Sequence, residues 1–222
     1  MKKIKFLIVF FVFGSFSFSA IAQEAQNKIS HHASWWRLDF SLEYGSNLFY
    51  SSNISIINSD PQQTYISSNA GFSGRFLVLN SSNDRDLKTG MFVGINVNHT
   101  EVPLHINEKV NLLSSGLSAG FMIELSHITS MDFSFGVGWA QYKNDFSIVN
   151  KTYSYKKNGI NSVIKSAIYF SPVEYVKIGL GIEYKLYMFK DNDNMIDDIP
   201  SQLPKESSIK ALNPFISLRV SI

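Results

Sequence analysis

Eight segments of this 222-residue chain alternate apolar and polar side chains at every second position. In the first, Trp36, Leu38, Phe40, Leu42 and Tyr44 alternate with Arg37, Asp39, Ser41, Glu43 and Gly45. A period of two places successive side chains on opposite faces of a β-strand. The other seven segments lie at residues 72–78, 91–98, 117–126, 132–140, 164–170, 176–186 and 216–222. The sequence therefore predicts an all-β chain with eight strands, each with one apolar and one polar face.

The links between the predicted strands alternate in length. Long links are expected at residues 51–64, 101–111, 143–159 and 190–208, and shorter ones at 80–87, 127–130 and 171–174. Outer-membrane barrels have short turns on the periplasmic side and long loops on the outer side. A soluble β-sandwich has no reason to keep this order. The pattern favours an eight-stranded antiparallel up-and-down transmembrane β-barrel at residues 35–222, with a soluble exported barrel or sandwich as the alternative.

The polar face is rich in glycine and serine and carries eleven charges. They are Arg37, Asp39, Glu43, Arg75, Glu124, Asp132, Lys165, Lys177, Glu183, Lys185 and Arg219. The interior of an eight-stranded barrel is only just wide enough for side chains, so it suits small residues and balanced charge. We expect these side chains to line the lumen, where they either bound a narrow water path or pair with one another and fill it. Pairing is favoured, because an unpaired charge in a tight, poorly solvated space is costly.

Aromatic residues gather near the ends of the predicted strands. One group comprises Trp35, Trp36, Tyr169, Phe170 and Tyr175, and the other comprises Phe49, Tyr50, Tyr65, Trp139, Tyr142, Tyr187 and Phe189. Membrane barrels carry a girdle of aromatic side chains at each interface with water. The two groups are therefore predicted to form the inner and outer girdles.

The first 22 residues are predicted to be a cleaved secretory signal. Lys2, Lys3 and Lys5 precede an apolar run at 6–13, and Ala20 and Ala22 supply small residues before a cut at Gln23. The apolar run is too short to span a bilayer, which takes about 20 residues. Removing this segment leaves 17 basic and 18 acidic side chains, so no affinity for nucleic acid is indicated. A polar leader is expected at 23–34.

The chain resembles the small, porin-like outer-membrane β-barrel family of two-membrane bacteria. The resemblance lies in Ala20-Ile21-Ala22-Gln23, in the eight alternating strands and in the final segment from Asn213 to Ile222. It implies an outer-membrane location, contact with outer-membrane lipid and lipopolysaccharide, and insertion by the barrel assembly machinery. Members act as structural, adhesive or narrow-pore proteins. Many end in an aromatic residue, whereas this chain ends in Ile222.

Candidate catalytic and metal-binding residues are weak. Some related barrels are lipid A deacylases with a His-x-Ser pair, and His32-Ala33-Ser34 has that spacing but precedes the first strand. His127-Ile128-Thr129 lies in a predicted turn and has threonine in place of serine. A nucleophile needs a base and an orienting acid within hydrogen-bond reach, and neither segment supplies them. The chain is therefore predicted not to be an enzyme and to need no cofactor.

Two further segments could hold a metal ion. Adjacent His31 and His32 point to different sides of an extended chain, so a solvated pair is favoured. Asp191, Asp193, Asp197 and Asp198 offer oxygen ligands that suit Ca²⁺, but the segment fails the EF-hand pattern. Three functions stay open: a structural or surface-interaction barrel with a charge-paired lumen, a narrow channel for small solutes, and a lipid A-modifying enzyme. The first is favoured, and its external ligand is not identified.

Overall fold

The computed structural model describes residues 36–49, 65–81, 88–105, 107–126, 128–148, 151–190 and 206–222. The predicted signal (1–22), the leader (23–34), His31, His32 and the acidic segment 191–198 lie outside these ranges.

Eight antiparallel strands close into one barrel, as predicted. They are β1 (Trp36–Phe49), β2 (Tyr65–Ser81), β3 (Lys88–His105), β4 (Glu108–Ser126), β5 (Thr129–Ile148), β6 (Lys151–Val173), β7 (Val176–Lys190) and β8 (Glu206–Ser221). Each strand pairs with its neighbour in sequence, and β8 returns to pair with β1, for example through Leu42 and Leu218. Closure removes free sheet edges, which a lipid environment does not tolerate. Among the described residues, no helix has the length and hydropathy needed to cross a bilayer.

The register gives the tilt of the strands. A line of paired residues that starts at Leu38 runs through Phe76, Val93, Ala119, Phe135, Ile164, Tyr184 and Leu212. It returns to β1 at Leu48, ten residues above its start. Eight strands with this stagger tilt by about 40° from the barrel axis. The residues on the line all occupy the outward face, and nearly all of them are apolar.

The apolar face of the strands points outward through most of the barrel. Exposed large side chains include Phe40, Phe72, Ile95, Leu117, Val137, Ile164, Leu180 and Ile216, at relative exposures from 40% to 67%. A soluble barrel would bury this face, whereas a membrane barrel turns it to lipid. The polar face points into the lumen.

Two of the predicted long links are wrong. Residues 101–111 and 143–159 were expected to be loops, but β3 and β4 continue to His105 and Glu108, and β5 and β6 continue to Ile148 and Lys151. The two hairpins are joined through residues 106–107 and 149–150. The length alternation therefore fails at these links. The end of the barrel with the two hairpins and the links 50–64 and 191–205 is the outer end, by the asymmetry of such barrels.

Candidate functional site

The structure places all eleven charged residues of the polar face on inward-facing strand positions. Eight of them are buried: Asp39, Glu43, Arg75, Asp132, Lys177, Glu183, Lys185 and Arg219. Arg37, Glu124 and Lys165 are half-buried. Most of the eleven fall into two groups at different heights in the lumen.

The lower group, near the inner end, joins four strands. Arg75 on β2 contacts Asp39 on β1 at 2.7 Å and Asp132 on β5 at 2.6 Å. Arg219 on β8 contacts the same Asp132 oxygen at 2.7 Å. Arg37 donates to Asp39 at 2.8 Å. Each carboxylate thus pairs with two guanidinium groups, and the lumen is bridged from side to side.

The upper group lies closer to the middle of the barrel. Lys165 on β6 pairs with Glu43 on β1, and Lys185 pairs with Glu183 at 3.0 Å along β7. Asn213 donates its amide to Glu183 at 2.8 Å. Charge-assisted hydrogen bonds of this kind offset the cost of burying an ion.

Lys177 and Glu124 also lie near the inner end. Lys177 donates to the hydroxyl of Ser130 at 3.3 Å.

Three of the cations in the lumen also lie over aromatic rings that cover glycines. Arg219 lies 3.6 Å from the centre of the Tyr169 ring, Arg75 lies 4.3 Å from Phe92, and Lys165 lies 4.6 Å from Phe215. In the strand register each of these rings lies opposite a glycine on the neighbouring strand: Tyr169 opposite Gly179, Phe92 opposite Gly120, and Phe215 opposite Gly181. A Cβ on Gly179 would lie 2.4 Å from a Tyr169 ring carbon. Glycine is needed at these positions because the ring occupies the space of a side chain.

Amides and a small cavity fill the space around the upper group. Asn47 donates to Thr100 at 2.9 Å, and Thr100 donates to Asn69 at 2.8 Å. A cavity of about 40 Å³ lies between the two groups, lined in part by Glu43, Asp132 and Lys165. This volume suits about three water molecules. These amides were not predicted, although they share the inward parity of the charges.

An apolar cap closes the lumen at its outer end. It comprises Phe49, Tyr65, Val102, Leu104, Val110, Leu112, Ala140, Tyr142, Phe146, Tyr155, Tyr187, Phe189, Ile209 and Ala211. The Tyr187 and Phe189 rings are stacked with centres 6.1 Å apart, and Phe189 also contacts Tyr142 at 5.8 Å. Among the outer members of the cap, Asn144 donates to Glu108 at 2.6 Å.

Most of the predicted outer aromatic girdle is therefore wrong. Five of its seven members, Phe49, Tyr65, Tyr142, Tyr187 and Phe189, belong to the inward-facing cap. Tyr169 of the predicted inner girdle is also buried in the lumen. Trp139, Trp36 and Phe170 do face outward. The reason is parity: each inward ring occupies the same set of alternate positions as the lumen charges on its strand.

The two hairpins form a four-stranded projecting sheet at the outer end. It comprises residues 101–105, 108–111, 143–148 and 151–157. Its outward positions are mostly polar, and Lys109 pairs with Glu101 at 2.8 Å and Lys143 with Asp145 at 2.6 Å. Partial burial raises the pKa of Asp145, but hydrogen bonds from Lys143 and Ser154 outweigh it and hold that pKa below the ordinary value of 3.8. Asp145 is therefore ionised at neutral pH.

Most of the catalytic and metal candidates lie outside the part of the chain that the structure describes. His32, Ser34, His127 and the four aspartates at 191–198 lie outside the described residues, and Thr129 begins β5. In the part of the chain that the structure describes, no group of three or more His, Cys, Asp or Glu side chains could hold a metal ion.

Comparisons by sequence find no match: no family model and no curated protein matches the chain. Comparisons by structure do. Neisserial surface protein A has a TM-score of 0.50 at 9% identity, with 86% of this chain and 99% of that chain covered. Ail of Yersinia pestis has a TM-score of 0.46 at 13% identity, with 82% and 97% covered. The N-terminal barrel of Pseudomonas aeruginosa OprF has a TM-score of 0.39 at 8% identity, with 83% and 97% covered.

At these identities the likeness concerns the fold. It agrees with the closed ring of eight antiparallel strands. By its fold, the chain is a small eight-stranded β-barrel of the bacterial outer-membrane type.

Proposed function

We propose that this chain is a closed barrel that holds a rigid β-sheet at the cell surface, in a structural or surface-interaction role. The observation that carries the proposal is the apolar cap, which crosses the lumen at the base of the projecting sheet. The cap ties strands that bear the sheet to strands of the membrane barrel, since Phe189 on β7 contacts Tyr142 on β5.

The cap disfavours the channel alternative. A constriction lined by apolar side chains excludes water and so opposes the passage of ions. Below the cap, cations of the lumen contact carboxylates at 2.6–3.0 Å, and the cavity between them is about 40 Å³. The lumen charges thus serve the stability of the barrel rather than conduction.

The projecting sheet is the part that can meet an external partner. Among the described residues, the part of β3 above Glu101 pairs only with β4. In the same way, residues 151–157 of β6 pair only with β5. A strand with one open edge can accept a further strand from a partner. The sheet therefore offers both side chains and backbone groups for recognition.

Single-channel recording of the refolded mature protein tests whether the lumen is closed. We expect no steady conductance from the unaltered protein. A steady conductance that is lost on substitution of Arg75 or Lys177 would contradict the proposal.

Surface presentation is tested with single cysteines, which the natural sequence lacks. Ser147→Cys near the tip of β5 should react with a membrane-impermeant maleimide on intact cells. The matched variant Ser171→Cys, near the inner end of β6, should react only after the cells are opened. Equal labelling of both on intact cells, or the reverse order, would contradict the orientation.

Export by a signal cleaved near Ala22-Gln23 is part of this proposal. The intact mass of the protein recovered from membranes should equal that of residues 23–222. Retention of residues 1–22 would contradict it.

The proposal assigns no catalytic step to the chain. After incubation with lipopolysaccharide, mass spectrometry should find lipid A with its acyl chains unchanged. Release of an acyl chain would instead support the enzyme alternative.

A further inference from the structure

The outer border of the lipid-facing surface has an ordered composition on the strands β4 to β8. On β4, β5 and β6, the last outward apolar residue is followed outward by an amide and then by a lysine. The series are Leu113, Asn111, Lys109 on β4; Trp139, Gln141, Lys143 on β5; and Ile160, Asn158, Lys156 on β6. On β7 and β8, Lys190 follows Met188 and Lys210 follows Leu212.

The lysines of β4 to β7 lie at nearly one height. The register line climbs ten residues in one circuit of eight strands, or about 1.25 residues for each strand. Heights are counted in residues along the strands, starting from the level of Leu38. On this count the four lysines all lie about 13 to 14 residues higher; they are Lys109, Lys143, Lys156 and Lys190. At this tilt one residue adds about 2.5 Å of height, so the four lysines fall within about 3 Å of one another in height. They form a basic arc on one side of the barrel.

On β1 and β2 the described residues end below this level, at Phe49 and Tyr65. On β3 the outward residues nearest to it are Glu101 and Pro103. Carboxylates accompany the arc: Glu101 on β3 pairs with Lys109 at 2.8 Å, and two others stand farther out along their own strands. Asp145 follows Lys143 on β5, and Glu206 lies beyond Lys210 on β8, opposite Lys190 in the register. On β5 to β8 the lysines are thus the charges next to the apolar band among the described residues.

The centre of the arc brings like charges together. Lys143 and Lys156 are direct partners across β5 and β6, and Lys190 is the partner of Asn158, two residues from Lys156. Directly opposed like charges destabilise a pair of strands. Asp145 accepts from Lys143 at 2.6 Å and lies close enough to Lys156 for their charges to interact, so one carboxylate serves two of the three lysines. An anion between the three ammonium groups would remove the repulsion.

We propose that Lys143, Lys156 and Lys190 form a binding site for the phosphate groups of outer-leaflet lipopolysaccharide. The ligand is a lipid because the site borders the apolar band, where a membrane headgroup lies and where Ile160 and Met188 can contact the acyl chains. Gln141 and Asn158, linked by a 3.3 Å hydrogen bond, lie between the apolar residues and the lysines and offer polar contacts to the sugar. The inference rests on the outer-membrane orientation proposed above, which the cysteine labelling tests separately.

The test is a titration of the refolded mature protein in micelles with lipopolysaccharide, with dephosphorylated lipopolysaccharide and with inorganic phosphate. Each lysine near an anionic lipid surface adds roughly fivefold to affinity. K143Q/K156Q should therefore bind phosphorylated lipopolysaccharide roughly thirtyfold more weakly than the unaltered protein. The matched control K88Q/K151Q removes two exposed lysines that lie away from the arc, and its affinity should not change.

Asp145→Asn supplies a change of opposite sign. Removal of the carboxylate beside Lys143 should strengthen binding, which a loss of folding cannot do. Equal binding of dephosphorylated lipopolysaccharide, an equal loss in both double variants, or inorganic phosphate binding as tightly as the lipid would each overturn the proposal.

Discussion

Arg75 joins Asp39 and Asp132 across the lumen, donating from Nε to the first at 2.8 Å and from Nη1 to the second at 2.6 Å. Its own strand is β2, and the carboxylates belong to β1 and β5, so one side chain links opposite walls of the barrel. The contact gives the lower lumen a cross-brace that backbone hydrogen bonds between neighbouring strands cannot supply. Asp132 extends it to β8 through Arg219.

Asp132→Asn should destabilise the barrel strongly. The change leaves two buried guanidinium groups, those of Arg75 and Arg219, short of a countercharge, and breaking a buried pair in this way costs about 3–5 kcal/mol. The control is Asp145→Asn, which breaks an exposed pair with Lys143 and should cost at most about 1 kcal/mol. Urea unfolding in micelles, followed by the heat-modifiable gel shift of the folded barrel, measures both. Equal effects would show that the lumen pairs add no more than surface pairs.

Gly179→Ala should destabilise the barrel because its Cβ would overlap the Tyr169 ring, 2.4 Å away. Crowding of this kind costs about 1–3 kcal/mol. Tyr169→Leu should recover part of the loss in the double variant, since the three nearest atoms to the new Cβ all belong to Tyr169. Gly74→Ala is the matched control: its Cβ would meet Phe40 at an ordinary 3.5 Å, so little change is expected. Additive effects of the Gly179 and Tyr169 changes would contradict the ring–glycine contact.

A lysine placed on the lipid face should have an effect that depends on depth. Val137→Lys lies within the apolar band and should cost about 2–4 kcal/mol, whereas Gln141→Lys lies at its outer border and should cost about 0–1 kcal/mol. Unfolding in lipid vesicles measures the difference between the two variants on the same face of β5. Equal costs would place the border of the membrane elsewhere.

Asp145 should titrate below the ordinary aspartate value of 3.8, because the hydrogen bonds and positive charge around it outweigh its partial burial. Because the pKa of Asp145 is lower in the folded protein, its ionised form stabilises the fold at pH values above the pKa of the unfolded chain. This contribution is lost as the pH falls through the pKa of the folded protein. Chemical shifts of the labelled carboxyl carbon give the titration. Lys143→Gln should move the pKa upward, and an unchanged pKa would exclude Lys143 as the cause.

The strand number and the direction of each face could be predicted because the lumen and the lipid impose opposite demands at successive positions. A segment such as 132–140 carries that pattern without interruption. The same parity applies to the amides Asn47 and Asn69, which a prediction built on charged side chains alone does not include.

The outer ends of the strands could not be found from one constant pattern, because the pattern reverses there. On β5 the apolar side chains point outward as far as Trp139, and above it Tyr142 and Phe146 point inward. Below the border the exterior is lipid, and above it the exterior is water and the interior is a conventional core. The apolar residues therefore move from odd to even positions, a change that resembles the end of a strand. Because of this reversal, Glu108 and Lys157 are predicted to lie in loops, whereas both lie on strands and face inward.

The reversal separates two kinds of evolutionary constraint along the hairpins. Inward positions such as Phe146 and Tyr155 must keep the cap filled, while outward neighbours such as Ser147 and Ser154 make few demands on it. Mutations can therefore accumulate on alternate residues of the exposed strands at little cost to folding. The side chains that the projecting sheet presents can therefore change without rebuilding the barrel that carries it.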